Sequence, residues 1–350
     1  MKVLIYTDPH WCQHSSIIRS YGKKHSTRLE NLINSINWCE RLAEKEGCAE
    51  IICAGDFFDR TDIVAREATA LRDIEWADMP HMMLVGNHEA DDQALTFLSL
   101  DVFDGPNFKI IRTPWHEFIE GSKTVITYIP FLTEEVRKPF KDYLYKDAER
   151  QVVISHNDIS GINYGPMVSK YGFALEDLES VDLFINGHIH NGSFLNKRKT
   201  ALNLGNLTGK SFEEDAKTYT HNVIILDTET LEMRFIENPY AFNFYKFDID
   251  VEADINKLDI IKNNAVLSLR CEQSLLPQLK QHLAELKDRI VESRTVAYRT
   301  IKATEGEEET TTLATTDHIA LFEKFAMEQI EDKVITKEEL GILRTLGGMD

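Results

Sequence analysis

Short apolar runs recur along the first 190 residues, and each stops at a polar cluster. Val3-Leu4-Ile5-Tyr6 runs into Asp8 and His10, and Ile51-Ile52-Cys53-Ala54 into Gly55-Asp56. His81-Met82-Met83-Leu84-Val85 runs into Gly86-Asn87-His88-Glu89, Val152-Val153-Ile154 into His156, and Leu183-Phe184-Ile185 into Gly187-His188-Ile189-His190. Short apolar runs bounded by turn residues read as buried parallel strands. After the first run, Leu29, Leu32, Ile33, Ile36 and Leu42 recur at helical spacing. Thr27 and Glu30 stand at capping-box distance, and Gly47 fits a helix stop. A helix from Ser26 or Thr27 to near Gly47 is therefore predicted, with a second over residues 62–77, ended before Pro80. Alternation of strand and helix implies a sheet covered by helices.

Further along, residues 94–101 read as a short helix. Residues 109–111 and 124–129 read as strands of a second sheet, with an antiparallel pairing open to them. Residues 133–150 are polar and partly helical, and strands follow over 200–206, 222–227 and 231–236. The fold class expected for residues 1–238 is α/β (an α+β sandwich), two sheets flanked by helices. Asn238-Pro239 marks a boundary. Residues 239–302 then read as a small α+β module: strand 244–251, helix 254–261, strand 265–270, helix 275–292, strand 294–301. Residues 303–312 are acidic, lack large apolar groups and read as a linker. Two amphipathic helices, 316–331 and 336–346, close the chain within a segment 313–350. The first carries Leu321, Phe322 and Phe325 on an apolar face that suits a partner.

Composition narrows the class. A chain of 350 residues with 43% apolar and 28% charged positions is that of a soluble globular protein with more than one domain. No apolar run reaches 18 residues, so no membrane span is expected, and Met1-Lys2-Val3 leads directly into a strand without signal-peptide anatomy. Five cysteines with no CxxC pairing point to a reducing, cytoplasmic compartment. A net charge of −19 argues against a free-standing nucleic-acid binder. If DNA is the substrate, bound metals or a partner must supply the positive charge.

The polar clusters carry the chemistry. Asp8, His10, Asp56, Asn87, His156, His188 and His190 offer seven oxygen and nitrogen donors at the ends of strands, where ligands of open α/β sheets bind. Seven exceed the needs of one ion. Two ions bridged by the Asp56 carboxylate would use them all. Imidazole mixed with carboxylate suits manganese, iron or zinc better than magnesium. His88, beside Asn87, is placed to protonate a leaving alkoxide, and Asp59 and Glu89 are placed to orient it or a ligand. Taken singly, each cluster also fits a plain turn. Gly187-His188-Ile189-His190 is the more specific, because alternation along a strand end would aim both imidazoles to one side.

Asp8-x-His10, Gly55-Asp56-x-x-Asp59, Gly86-Asn87-His88-Glu89, His156 and Gly187-His188-x-His190 together resemble the five signature blocks of the calcineurin-like metallophosphoesterase superfamily. Within it, the chain is similar to the SbcD-type nuclease subunits of double-strand-break repair complexes, including phage versions, for which the host cytoplasm is the implied location. Three features carry that likeness: the Asp8-Pro9-His10-Trp11 opening, a small α+β domain where those subunits have a DNA-capping domain, and an acidic linker leading to a helical pair. The resemblance implies that Asp8, His10, Asp56 and His190 hold a first metal and Asp56, Asn87, His156 and His188 a second, with His88 catalytic. It further implies two Mn2+ ions, exonuclease and endonuclease activity on DNA, a homodimer, and an SbcC-type coiled-coil ATPase bound through the C-terminal helices. Asp59-Arg60 and Glu89 also resemble phosphoprotein phosphatase blocks, in which an arginine grips phosphate. That family has an arginine before its Gly-Asn-His block, where this chain has Val85. A phosphodiesterase or phosphatase is the second reading.

Overall fold

The computed structural model describes residues 1–14, 24–89, 97–103, 105–164 and 167–299. In chain order, β1 (Lys2–Tyr6), α1 (Thr27–Glu46), β2 (Glu50–Cys53), α2 (Ala65–Ala70), β3 (His81–Leu84) and β4 (Phe108–Ile111) come first. They are followed by β5 (Trp115–Phe118), β6 (Thr124–Ile129) and β7 (Arg150–Ser155). Four two-residue strands, β8 (Ile159–Ser160), β9 (Asn163–Tyr164), β10 (Met167–Val168) and β11 (Phe173–Ala174), form two small ladders. Then come β12 (Leu183–Asn186), β13 (Ser193–Phe194), β14 (Ala201–Asn203), β15 (Asn222–Asp227) and β16 (Met233–Glu237). One six-stranded sheet has the order β16-β15-β1-β2-β3-β4 and a second the order β13-β14-β12-β7-β6-β5. In each sheet four strands run parallel and the antiparallel strands sit to one side or at the edges. Both parallel sets therefore deliver their carboxyl ends to loops that can meet.

Side-chain alternation along β1 explains the layering. Val3 and Ile5 pack between the sheets with Ile126, Tyr128, Val152 and Ile154, whereas Leu4 and Tyr6 face α1 through Leu29, Leu32 and Ile36. Each fully buried Leu or Ile here contributes about 2 kcal/mol. Helix α1 starts where Ser26 Oγ accepts the Leu29 N–H at 3.2 Å and stops at Gly47, whose φ of 67° a side chain would strain. All five cysteines are buried and free. Among the described residues no helix is long and apolar enough to cross a membrane.

Several elements differ from the sequence reading. Residues 109–111 belong to β4, which pairs parallel to β3 in the first sheet, while β6 pairs parallel to β7 in the second. The antiparallel neighbour of β6 is β5, which the pattern does not reveal. Apolar runs specify burial, but the sheet a run joins depends on the crossover before it. The helix expected over 62–77 shrinks to α2 and a 3₁₀ turn, because α1 takes over the backbone groups beyond it. Asn37 accepts the Glu75 N–H and donates to the Asp73 carbonyl, and Glu40 accepts the Ala77 N–H.

Toward the end of the described chain, β17 (Asn243–Ile249), β18 (Ala265–Glu272), α3 (Leu276–Glu285) and β19 (Ile290–Tyr298) follow, with the sheet order β17-β18-β19. The helix expected over 254–261 is a 3₁₀ segment, and the one expected over 275–292 ends at Glu285. The chain divides into two compact units. One contains Met1–Lys246, Asp259–Ser268 and Leu286–Ser293; the other contains Phe247–Leu258, Leu269–Glu285 and the described residues from Arg294. The acidic linker, the C-terminal helices and Leu321, Phe322 and Phe325 lie outside the described residues.

At the amino end of β2, far along the strand from the polar clusters, Glu50 is buried, and Tyr128 donates toward Glu117 (2.7 Å) or Glu50 (3.3 Å). One hydroxyl proton cannot serve both carboxylates. Burial, and then the Glu117 charge, push the Glu50 carboxyl from 4.5 up to about 8. A carboxyl that holds its proton more tightly folded than unfolded stabilises the fold below the unfolded value and loses that stabilisation as pH rises through the folded value. Between about pH 4.5 and about 8, stability should therefore fall. Glu50→Gln should melt at a temperature close to the parent's at pH 5 and above it at pH 8. A parallel pH dependence of the two melting curves would refute this.

Candidate metal centre

The β1 and β2 ladder continues past the strands into the loops that bear the donors. Asp8 N donates to Gly55 O (3.1 Å), His10 N to Asp56 O (3.1 Å) and Trp11 N to Phe57 O (2.6 Å). The two loops are thereby clamped side by side. Glu89 fastens the third: its buried carboxylate accepts from Asp56 N (3.2 Å), Phe58 N (2.8 Å) and Gly86 N (2.7 Å). Burial, and then the Asp56 charge, push the Glu89 carboxyl up to about 8. A β-carbon on Gly55 would stand 2.2 Å from His156 Nδ1, and one on Gly86 2.1 Å from Asp56 Oδ1. These glycines let neighbouring backbones approach the donors.

Asp8 (φ 51°), His10 (φ 49°), Asp56 (φ 49°) and His188 (φ 71°) all adopt left-handed backbone. Asp and His tolerate this region better than most residues, yet each such residue costs on the order of 1 kcal/mol. Strain concentrated in donor residues marks a functional centre.

The donors gather in three overlapping groups: Asp8, His10 and His190; His10, Asp56 and His88; Asp56, His156 and His188. Within each group the ligand atoms lie within 4.8 Å of one another. Asp56 Oδ2 is 3.2 Å from His156 Nε2, 3.8 Å from His10 Nε2 and 3.9 Å from His88 Nε2. His10 Nε2 and His190 Nε2 are 2.9 Å apart, and His188 Nδ1 is 2.9 Å from Asn87 Oδ1. All seven donors named from the sequence thus lie in one linked cluster, with Asp56 in two of its three groups and Asn87 joined to it through His188. One expectation fails in detail. The strand ends at Asn186, so His188 and His190 occupy a turn and their imidazoles part, one toward Asn87 and His156, the other toward His10.

Each imidazole is aimed by its second nitrogen. His156 Nδ1 donates to the Ala54 carbonyl (2.7 Å), leaving Nε2 free to coordinate. His10 Nδ1 faces Asp59 (3.2 Å), His188 Nε2 faces Asp158 (3.1 Å) and His190 Nδ1 faces Glu214 (3.5 Å). Such partners orient metal-binding histidines. The donor set fits divalent cations. Carboxylate, amide and imidazole converge, while buried Asp8 Oδ1 and His156 Nε2 have no hydrogen-bond partner. Burial pulls His156 down, but the charges of Asp56 and then Asp8 outweigh it and raise the imidazole to about 10. Burial lowers His10 to about 4. Burial would push Asp56 up, yet His156, with His10 and His88, holds it well below the usual carboxylate range. A cation held here by Asp56 and His156 would compete with a proton on His156.

His88 Nδ1 lies 2.7 Å from the carbonyl of Asp59. A carbonyl only accepts, so Nδ1 carries hydrogen and Nε2 points to the Asp56 side, 3.9 Å from Oδ2. Asp59 positions His88 with its backbone and His10 with its carboxylate. Three participants escape a linear reading. Lys210 Nζ stands 2.5 Å from Asp59 Oδ1 and 3.4 Å from His10 Nδ1. Glu214 orients His190 and accepts from Lys210 N (3.0 Å) and Asn206 Nδ2 (2.8 Å). Asp158 follows His156 by two residues, a spacing that could have flagged it; Lys210 and Glu214 have no local signal.

Residues 1–192 match the model of the calcineurin-like phosphoesterase family. No curated protein matches the chain in sequence. Among the solved structures similar to part of it are two that are each 11% identical with a TM-score of 0.39. TT1561 of Thermus thermophilus is matched over 67% of this chain and 98% of its own, and a dimetal phosphatase from Danio rerio (LOC 393393) over 68% and 99%. The family match takes in all five donor clusters and more than half of the residues, and the chain belongs to the calcineurin-like phosphoesterases.

Proposed function

We propose that this phosphoesterase is a dimetal-dependent DNA nuclease, the SbcD-like subunit of a recombination and repair complex. The observation that carries the reading is the position of Asp56 Oδ2 among His10, His88 and His156, at the junction of two donor groups. Asp8, His10, Asp56 and His190 would hold one cation, and Asp56, Asn87, His156 and His188 the other. Bound there, the pair would polarise a phosphoryl oxygen and ready water for attack at neutral pH, with manganese the expected ion. His88 would protonate the leaving oxygen from Nε2, and Lys210, paired with Asp59, would hold that carboxylate against His10. The family assignment supports hydrolysis of phosphate esters. DNA as the substrate rests on the sequence likeness. So do the homodimer and the docking of an SbcC-type ATPase on residues 313–350.

One observation weighs against the protein phosphatase reading. Arg60 Nη2 donates to both oxygens of the buried Glu67 carboxylate, at 2.9 Å each, so this arginine is already paired within the chain. Digestion of linear duplex and single-stranded DNA with Mn2+, beside a chromogenic phosphodiester, tests the proposal. Nucleotide release from DNA is the expected result. Hydrolysis of the small ester without cleavage of DNA, even with an ATPase partner added, would reject it.

A further inference from the structure

Next to the metal centre, the open edges of the two sheets frame a cleft of about 230 Å³, lined by Gly192, Phe194, Asn203, Tyr219 and Phe235 among others. Phe194 belongs to β13, the edge of one sheet, and Phe235 to β16, the edge of the other. Their rings meet edge to face with centroids 5.8 Å apart, yet Phe194 is 41% and Phe235 40% exposed. Two large aromatic side chains on polar sheet edges, packed on each other and left open to water, invite a flat ligand.

The loop between β13 and β14 adds charge. Lys197, Arg198 and Lys199 are consecutive and exposed in a chain of net charge −19, and none has a carboxylate partner among the described residues. Lys199 Nζ lies 5.4 Å over the Phe194 ring. The loop is fixed: Asn196 Oδ1 accepts from Thr200 N (3.0 Å) and Ala201 N (3.2 Å), and Asn196 O accepts from Lys199 N (3.2 Å). Lys199 itself has a φ of 60°, a conformation in which glycine would be less strained.

The cleft also communicates with the donors. Only Asn191, Gly192 and Ser193 separate His190 from Phe194, a span of at most about 14 Å. On the cleft wall, Tyr219 makes hydrogen bonds with Glu214 (3.2 Å) and Asn206 (3.2 Å), and Glu214 in turn faces His190. Aromatic faces beside a basic stripe are the ordinary means of holding an unpaired nucleic-acid strand.

We infer that this cleft holds a single strand of DNA next to the metal centre, with a base stacked on Phe194 beside Phe235 and phosphates on Lys197, Arg198 and Lys199. The inference rests on the nuclease reading for its choice of DNA. Its test reads binding, not cleavage. Anisotropy of a labelled oligo-dT should be titrated with full-length protein in EDTA at several salt concentrations. Phe194→Ala and Phe194→Leu should each weaken binding about tenfold, and Phe194→Trp should restore it. Joint replacement of Lys197, Arg198 and Lys199 by alanine should lower the slope of log affinity against log salt by about 2. Hydrolysis of a chromogenic phosphodiester should stay unchanged in all of them. Absence of oligo-dT binding by the parent, or parent-like affinity and salt slope in the variants, would overturn the proposal. So would a loss confined to duplex DNA. If the variants lose oligo-dT binding while the parent never cuts DNA, the cleft stands and the nuclease reading falls.

Discussion

Asp56→Asn should reduce phosphodiester hydrolysis at least about 10³-fold, the largest effect expected of any single substitution in this chain. The change is nearly isosteric. Asp56 Oδ1 accepts the His88 N–H at 3.0 Å, and an amide oxygen can do the same. What disappears is the negative charge at Oδ2, which faces three imidazole nitrogens within 4 Å. An amide cannot bridge two cations as a carboxylate does. Metal analysis should find two ions per chain in the parent and fewer in the variant. Stability gives an independent readout. A ligand at 100 times its dissociation constant stabilises a fold by about 2.7 kcal/mol, so Mn2+ should raise the parent's melting temperature and EDTA should reverse it. In Asp56→Asn that rise should be largely lost. A variant that keeps both ions and the full rise would show that Asp56 is not the shared ligand.

For His88→Asn, a fall in turnover of about 10²–10⁴-fold is expected on DNA, with metal content unchanged. The Asp59 carbonyl fixes hydrogen on Nδ1, which leaves Nε2, beside Asp56, as the nitrogen that would carry the proposed proton. A deoxyribose alkoxide needs that proton to depart. A nitrophenolate does not. The same variant should therefore lose less than about tenfold on bis(p-nitrophenyl) phosphate. Equal losses on the two substrates, together with lost metal, would instead make His88 a ligand in the group it forms with His10 and Asp56.

Much of this centre could be read from residue order. The five apolar runs became β1, β2, β3, β7 and β12, because uninterrupted burial on both faces of a parallel strand leaves few other uses for such runs. The polar residues beyond them had to lie at the strand ends. Residues 109–111 were misassigned to the second sheet, since so short a strand, with Ile110 and Ile111 as its apolar residues, looks the same in either. The helix over 62–77 was overestimated, since nothing local shows that Asn37 and Glu40 will claim the backbone of residues 73–77.

Residue order alone shows the donor types, their positions at strand ends and the glycines that flank them, because these follow from local pattern and side-chain chemistry. Which donors group with Asp56, how His188 and His190 part, and the arrival of Lys210, Glu214 and Asp158 at the site emerge only once the sheets are packed. Those relations are distances between atoms up to 200 residues apart in the chain, as for Lys210 and His10, and they are set by the register of two packed sheets. No run of neighbouring residues encodes them.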